Sequence, residues 1–395
     1  MIRLAALALA LSAALPARAA EPAFQAAAVE IVGADQGVFA HAEDGTVLAA
    51  LNADRPVHPA SVTKVATTLA LLRQLGPEHR FETRLLTAGT LRDGTLHGDL
   101  VVAAGGDPFF VSENAFLLLL ALREVGLRTV EGGLGVRGPL LFNWQRDPAG
   151  KGLRRALVGL DGGGAWPAVR AARPDAAGLS PAALALGFAP ARRGSRAGEP
   201  RLLVVHRSPP LGRIVKALNC YSNNVFDLLS DRIGGPGAVQ RTARNAVALG
   251  LRSAIVVDDA AGAGTTNRLS PRAAVALLDA LAAELGRHGR SLVDALPVSG
   301  IDPGTLHERL AGGVVVGKTG TIGSLGASAL AGRVRTRRFG EVSFAVLDRG
   351  LPVREAQRRQ DAFVRALLDA GEGEAWPYRG DALPSFAEAE VQVAR

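Results

Sequence analysis

An α+β layer fold is what this 395-residue sequence predicts, and three observations carry it. Strand-like stretches stand near both ends of the chain. Helical stretches fill the interval between them. A hydrophobic content of 48% supplies core enough for two domains. The sheet is therefore expected to be completed late, by strands far apart in sequence.

The elements follow in order. Met1-Ile2-Arg3, an apolar run at 4–15 and Ala17-Arg18-Ala19 describe a secretory signal peptide over residues 1–19, with cleavage after Ala19. The run is too short to cross a bilayer, which takes about 20 residues. Residues 36–42 and 46–51 flank Asp44-Gly45, a turn dipeptide, and read as a hairpin. Pro56 and Pro59 then break the chain before a helix over 61–75, which Gly76-Pro77 ends. That helix puts Ser61 at its N-terminus and Lys64 one turn later on the same face.

Residues 82–200 differ in character. A strand-like stretch at 96–103 runs into the turn Gly105-Gly106-Asp107-Pro108, and 113–125 reads as a buried helix. Residues 129–137 are Gly-rich and extended, and 151–198 are dense in Gly, Ala, Pro and Arg. We read 83–200 as an inserted, smaller domain with long loops, and 20–82 with 201–395 as the main domain. A strand at 201–206 resumes the main domain, and a short helix at 212–218 leads into Ser222. Helices are expected at 225–233 and at 271–285, the latter opened by Ser270-Pro271. The β-branched run 314–316 precedes Lys318, 341–348 is a further strand, and 353–370 is a terminal amphipathic helix.

Composition bounds the partners. A formal net charge of +8 would point to nucleic acid in a cytosolic protein; in an exported one it favours loose association with an anionic wall or lipid surface. The expectation is a periplasmic protein with no nucleic-acid partner and at most loose membrane association. Arg333-x-Arg335-x-Arg337-Arg338 reads as a solvated hairpin strand ending at Phe339-Gly340. Cys220, the single cysteine, can form no internal disulfide and reads as a small buried filler.

The chemistry shows in lysine. Only Lys64, Lys151, Lys216 and Lys318 are lysine among 45 basic residues. Lysine can lose its proton when desolvated, whereas guanidinium effectively cannot. Ser61-x-x-Lys64 therefore offers a nucleophile and the base that activates it. Ser222-Asn223-Asn224 supplies a hydroxyl that can relay a proton and an amide that can hold Lys64 and a substrate amide. Lys318-Thr319-Gly320 supplies a cation for a substrate carboxylate, a hydroxyl beside it and room along a strand. No metal and no organic cofactor is expected.

Each motif alone is weak; their order is specific. Ser61-x-x-Lys64, Ser222-x-Asn224 and Lys318-Thr319-Gly320 occur with Gly98-Asp99-Leu100 and Gly105-Gly106-Asp107-Pro108. They also occur with Val298-Ser299-Gly300-Ile301-Asp302 and Gly304-Thr305-Leu306. Together these resemble the D-Ala-D-Ala carboxypeptidases of the PBP4 (DacB) type, peptidase family S13. The resemblance implies a penicillin-binding transpeptidase-like (serine β-lactamase-like) domain, an antiparallel sheet flanked by helices with an insert. It implies hydrolysis of peptidoglycan peptides ending in D-Ala-D-Ala, with possible endopeptidase action, through a Ser61 acyl-enzyme, and covalent inhibition by β-lactams. The oxyanion hole would be the N–H groups of Ser61 and Thr321. One segment departs from the pattern: Asp259-Ala260-Ala261-Gly262 carries alanine where serine is usual. Two other readings stand beside this one, a catalytically weak wall-binding homologue and a β-lactamase. A lactamase needs a base for water; the candidates are Glu284, read as the exposed end of a helix, and Glu308.

Overall fold

The computed structural model describes residues 22–159, 164–176, 178–188, 199–380 and 388–394. The expected signal peptide lies outside the described residues, as does part of the stretch at 151–198.

An antiparallel sheet centres the larger body, in the order Val315–Ile322, Ala327–Thr336, Gly340–Arg349, Gly37–His41, Val47–Leu51. The N-terminal hairpin turns at Asp44-Gly45, where the Thr46 N–H donates to the Asp44 carboxylate at 2.9 Å. Gly37–His41 then pairs with Gly340–Arg349, Phe39 opposite Ala345, so the first and last long strands meet in mid-sheet. The fold is α+β, as the ends of the sequence implied.

Side-chain alternation decides how the sheet is covered. Ala329, Ala331, Ala345 and Leu347 enter one core; Leu330, Val334, Phe344 and Val346 enter another on the opposite face. The alanine-rich face lies against the helix Pro271–Gly286 and the turn before Thr63–Leu75, where small side chains let backbones approach. The bulkier face packs on Val353–Gly371, which in turn packs on Pro22–Val32. Ser270 caps Pro271–Gly286, its hydroxyl accepting from the Ala273 N–H at 3.2 Å.

A second sheet, in the order Glu390–Val393, Arg201–Arg207, Glu82–Thr87, Leu100–Ala104, Leu134–Arg137, carries its own core of Leu85, Val102, Phe116, Leu118, Leu122 and Val204. The expectation that 201–206 returns to the main body is corrected here. Arg201–Arg207 pairs with Glu82–Thr87 and Glu390–Val393, and Leu203 and Val204 bury in the second core. A strand's own pattern shows which face is buried; its partner is set by long-range pairing. Two of the chain crossings lie side by side: the Phe81 N–H donates to Ser208 Oγ and the Ser208 N–H to Phe81 O, both at 2.9 Å.

Other departures are local. The expected 61–75 helix opens with a 3₁₀ turn, Ala60–Val62, before Thr63–Leu75. The helix Gly235–Ala246 was not read from sequence, because Gly234-Gly235-Pro236-Gly237 looks like a breaker; Pro236 in the first turn is tolerated there. Arg333 is not freely solvated: it donates to Asp279 Oδ1, Glu341 Oε2 and Ser343 Oγ at 2.8–3.0 Å. Among the described residues no helix is long and apolar enough to cross a membrane.

Candidate active site

Ser61 sits in a tight turn just ahead of Thr63–Leu75. Ala60 takes φ of +47°, a region costly for a residue with a side chain, and a fixed histidine supports it. The Ala60 N–H donates to His58 Nδ1 at 3.1 Å, while His58 Nε2 lies 2.6 Å from Gly264 O. The turn leaves Ser61 half-buried and its hydroxyl over the first helical turn.

Lys64 is fully buried, and its Nζ meets three acceptors: Ala261 O at 2.6 Å, Ser61 Oγ at 2.8 Å and Asn224 Oδ1 at 3.2 Å. Burial pushes its pKa down to about 8, with the Asp259 charge opposing part of the fall. Lys318 is itself fully buried, and burial and then the Lys64 charge hold it well below the ordinary lysine range. Its Nζ donates to Ser222 Oγ at 3.0 Å and Thr319 O at 2.9 Å. Ser222 takes φ of +53° to turn the chain between Leu211–Cys220 and Val225–Ser230.

The strand Val315–Ile322 is held against the serine turn by what it lacks. A Cβ built at Gly320 would lie 2.6 Å from Pro59 O and 2.9 Å from Ser61 N. The space at Gly320 is thus filled by the nucleophile's own backbone. Gly317 N–H donates outward to Pro297 O at 3.0 Å, so alternation puts the Thr319 and Thr321 N–H groups on that same outer edge. Ser61, Lys64, Ser222, Asn224, Lys318, Thr319, Gly320 and Thr321 therefore converge on one place.

Sequence reasoning missed several supports. Thr319 Oγ1 donates to Thr305 Oγ1 at 2.6 Å, and Thr305 N–H donates to Cys220 O at 3.0 Å, linking the strand to the Ser222 loop. The signal was Gly304-Thr305-Leu306 itself, noted for its resemblance and given no role. Lys216 Nζ donates to Asp302 at 2.5 Å and to Val293 O and Leu296 O, so this retained lysine is a buried tie with three acceptors. Ala261 contributes its carbonyl, which any residue at that position would provide; the missing serine hydroxyl leaves the Lys64 contact intact. Asn267 fixes the segment by donating to Asp259 O at 2.7 Å and Thr63 Oγ1 at 3.2 Å. Cys220 is buried, with its thiol pushed up to about 12, which suits a filler. Glu284 is buried and held by Arg73 at 3.0 Å and Arg287 at 2.7 Å, correcting its reading as an exposed helix end.

The sequence profile described as the D-Ala-D-Ala carboxypeptidase 3 (S13) family matches residues 17–138 and 191–369. The D-alanyl-D-alanine carboxypeptidase DacB of Haemophilus influenzae is 33% identical over 88 residues, which span 22% of this chain and 18% of that relative. A predatory peptidoglycan endopeptidase of Bdellovibrio bacteriovorus has the same fold, with a TM-score of 0.72 at 21% identity over 90% of this chain and 98% of that one. Its penicillin G acylated form, in complex with an immunity protein, gives 0.70 at 22% identity over 91% and 99%. Penicillin binding protein 4 (dacB) of Haemophilus influenzae gives 0.61 at 18% identity over 87% and 98%.

Proposed function

Because the chain belongs to the D-Ala-D-Ala carboxypeptidase 3 (S13) family, we propose that it is a serine D-Ala-D-Ala carboxypeptidase acting on peptidoglycan peptides. The observation that carries this is the 2.8 Å contact between Ser61 Oγ and a buried Lys64 whose pKa has fallen to about 8. With a pKa of about 8, roughly a tenth of the Lys64 side chains are neutral at pH 7 and about half at pH 8, and the lone pair of that form can take the serine proton.

In the proposed reaction Ser61 Oγ attacks the carbonyl of the penultimate D-Ala while Lys64 Nζ accepts the hydroxyl proton. The oxyanion would lie between the N–H groups of Ser61 and Thr321. The C–N bond breaks and the terminal D-Ala leaves as an amine, taking its proton from Lys64 through the Ser222 hydroxyl. Water then cleaves the ester and restores Ser61. Asn224 holds Lys64 and a substrate amide. The terminal carboxylate goes to Lys318 and Thr319; its arrival returns the proton that burial disfavours on Lys318. Gly320 brings the strand close enough to Ser61 for these contacts to coincide.

The same site accounts for acylation by penicillins, the state recorded for the Bdellovibrio neighbour. Endopeptidase action on cross-linked peptides would use the same acyl-enzyme. Export to the periplasm belongs to this reading too, with the basic charge favouring loose contact with the wall. The experiment is incubation of the purified protein with a defined pentapeptide muropeptide and with a cross-linked dimer. Release of D-Ala from the first is expected; cleavage of the dimer alone would assign it as an endopeptidase, and no cleavage of either would leave the weak-homologue reading.

A further inference from the structure

A basic cavity of about 500 Å³ lies where the two bodies meet, apart from the serine site. Arg80, Arg84, Arg137 and Arg232 line it, with His79 and a single carboxylate, Glu82. That carboxylate is already committed: Arg207 donates to it at 2.8 Å and Arg84 also pairs with it. Arg80 reaches Ser208 O at 2.8 Å and Glu390 at 3.5 Å. Arg137 and Arg232 have no acidic partner among the described residues, although Arg137 ends a strand of the smaller body and Arg232 belongs to the larger.

Arg232 is nevertheless positioned. Its side chain lies over Gly106, where a Cβ would fall 2.7 Å from Arg232 Cδ, and Gly106 has φ of +83°. Gly106 leaves the space in which the guanidinium stem crosses the turn. Burial first, and then the Arg232 charge, depress the neighbouring His79. Two guanidiniums from different bodies thus line one concavity whose one carboxylate, Glu82, is taken by Arg207 and Arg84, and such forks match carboxylates bidentately.

The geometry points to a binding site for a carboxylate of an acidic peptide, gripped between Arg137 and Arg232 and so bridging the two bodies. Arg232 stands eight residues after Asn224 along a helical path, about 12 Å at a rise of 1.5 Å per residue, a span that about four residues of extended peptide cover. Identifying that peptide as a distal stretch of the substrate rests on the proposed function; the site itself does not.

The test is calorimetric titration of the full chain with a short synthetic peptide carrying two glutamates and no D-Ala, and separately with inorganic phosphate. Saturable peptide binding is expected. It should weaken about tenfold or more in Arg137→Ala/Arg232→Ala and with added salt, and persist unchanged in Ser61→Ala. Unaltered penicillin labelling of the double variant would show that it is folded. Equal peptide binding by wild type and double variant overturns the proposal. So does binding of phosphate without the peptide, or of neither. Because Ser61→Ala removes the acyl chemistry, failure of this site and failure of the catalytic reading give different results.

Discussion

Lys64 is asked to be neutral and well ordered at once, and its environment supplies both. Burial loosens the proton, lowering the pKa to about 8, while Ala261 O, Ser61 Oγ and Asn224 Oδ1 fix the amine. Penicillin acylation should therefore rise with pH through about 8 and level off above it, since the neutral amine is the active form. A profile flat across that region would show that Lys64 is not the base. Lys64→Arg keeps the charge but cannot give up its proton, and should slow acylation by roughly 10³-fold. Ala261→Ser leaves the carbonyl contact in place and should change the acylation rate by less than about threefold, a difference under about 1 kcal/mol in barrier. The identities of these groups were legible because lysine is so scarce in the chain. The carbonyl of Ala261 was not, because a backbone contact leaves no trace in residue type.

At the scale of elements, the site depends on one strand lying against one turn. Gly320→Ala would push a methyl to 2.6 Å from Pro59 O, and backbone at both sides can yield little. Acylation should fall by about 10²-fold with thermal stability reduced by about 1–3 kcal/mol, since the displaced group is the nucleophile's own turn. Near-native labelling in this variant would mean the approach is looser than described. The hairpin at Asp44-Gly45 and the Ser270-Pro271 cap were readable because local chemistry decides them. The partner of Arg201–Arg207 was hidden, because Glu390–Val393 lies far along the chain and neither segment carries a mark of the other. Glu284 was misplaced for a related reason. A glutamate near a helix end looks solvated until Arg73 from another helix is brought beside it.

The two largest sheets belong to bodies with separate cores, and the bodies are joined where Phe81 and Ser208 bond to each other. Joining Phe81 directly to Ser208 and ending the chain after Gly380 should leave a folded larger body that penicillin still labels, if the smaller body is an independent insert. An insoluble or unlabelled product from a well-made junction would show that the larger body needs the smaller one. The larger body also has a pH-sensitive tie. Burial lowers His41, but its bond to Asp279 at 2.9 Å and the Asp279 charge more than offset this and raise it above 6.5. Its stabilising contribution is full below 6.5 and is lost as pH rises through the higher folded value. His41→Ala should therefore lower the melting temperature more at pH 6 than at pH 9; an equal drop at both would assign His41 a packing role alone.

The account stands on Ser61 as the acylated residue, and one measurement tests that directly. The purified protein is treated with a fluorescent penicillin, digested, and the labelled peptide identified by mass spectrometry, with Ser61→Ala run in parallel. The account predicts one adduct, on the peptide containing Ser61, and no covalent label in the variant. Label that persists in Ser61→Ala, or an adduct on another residue of the folded protein, would contradict it.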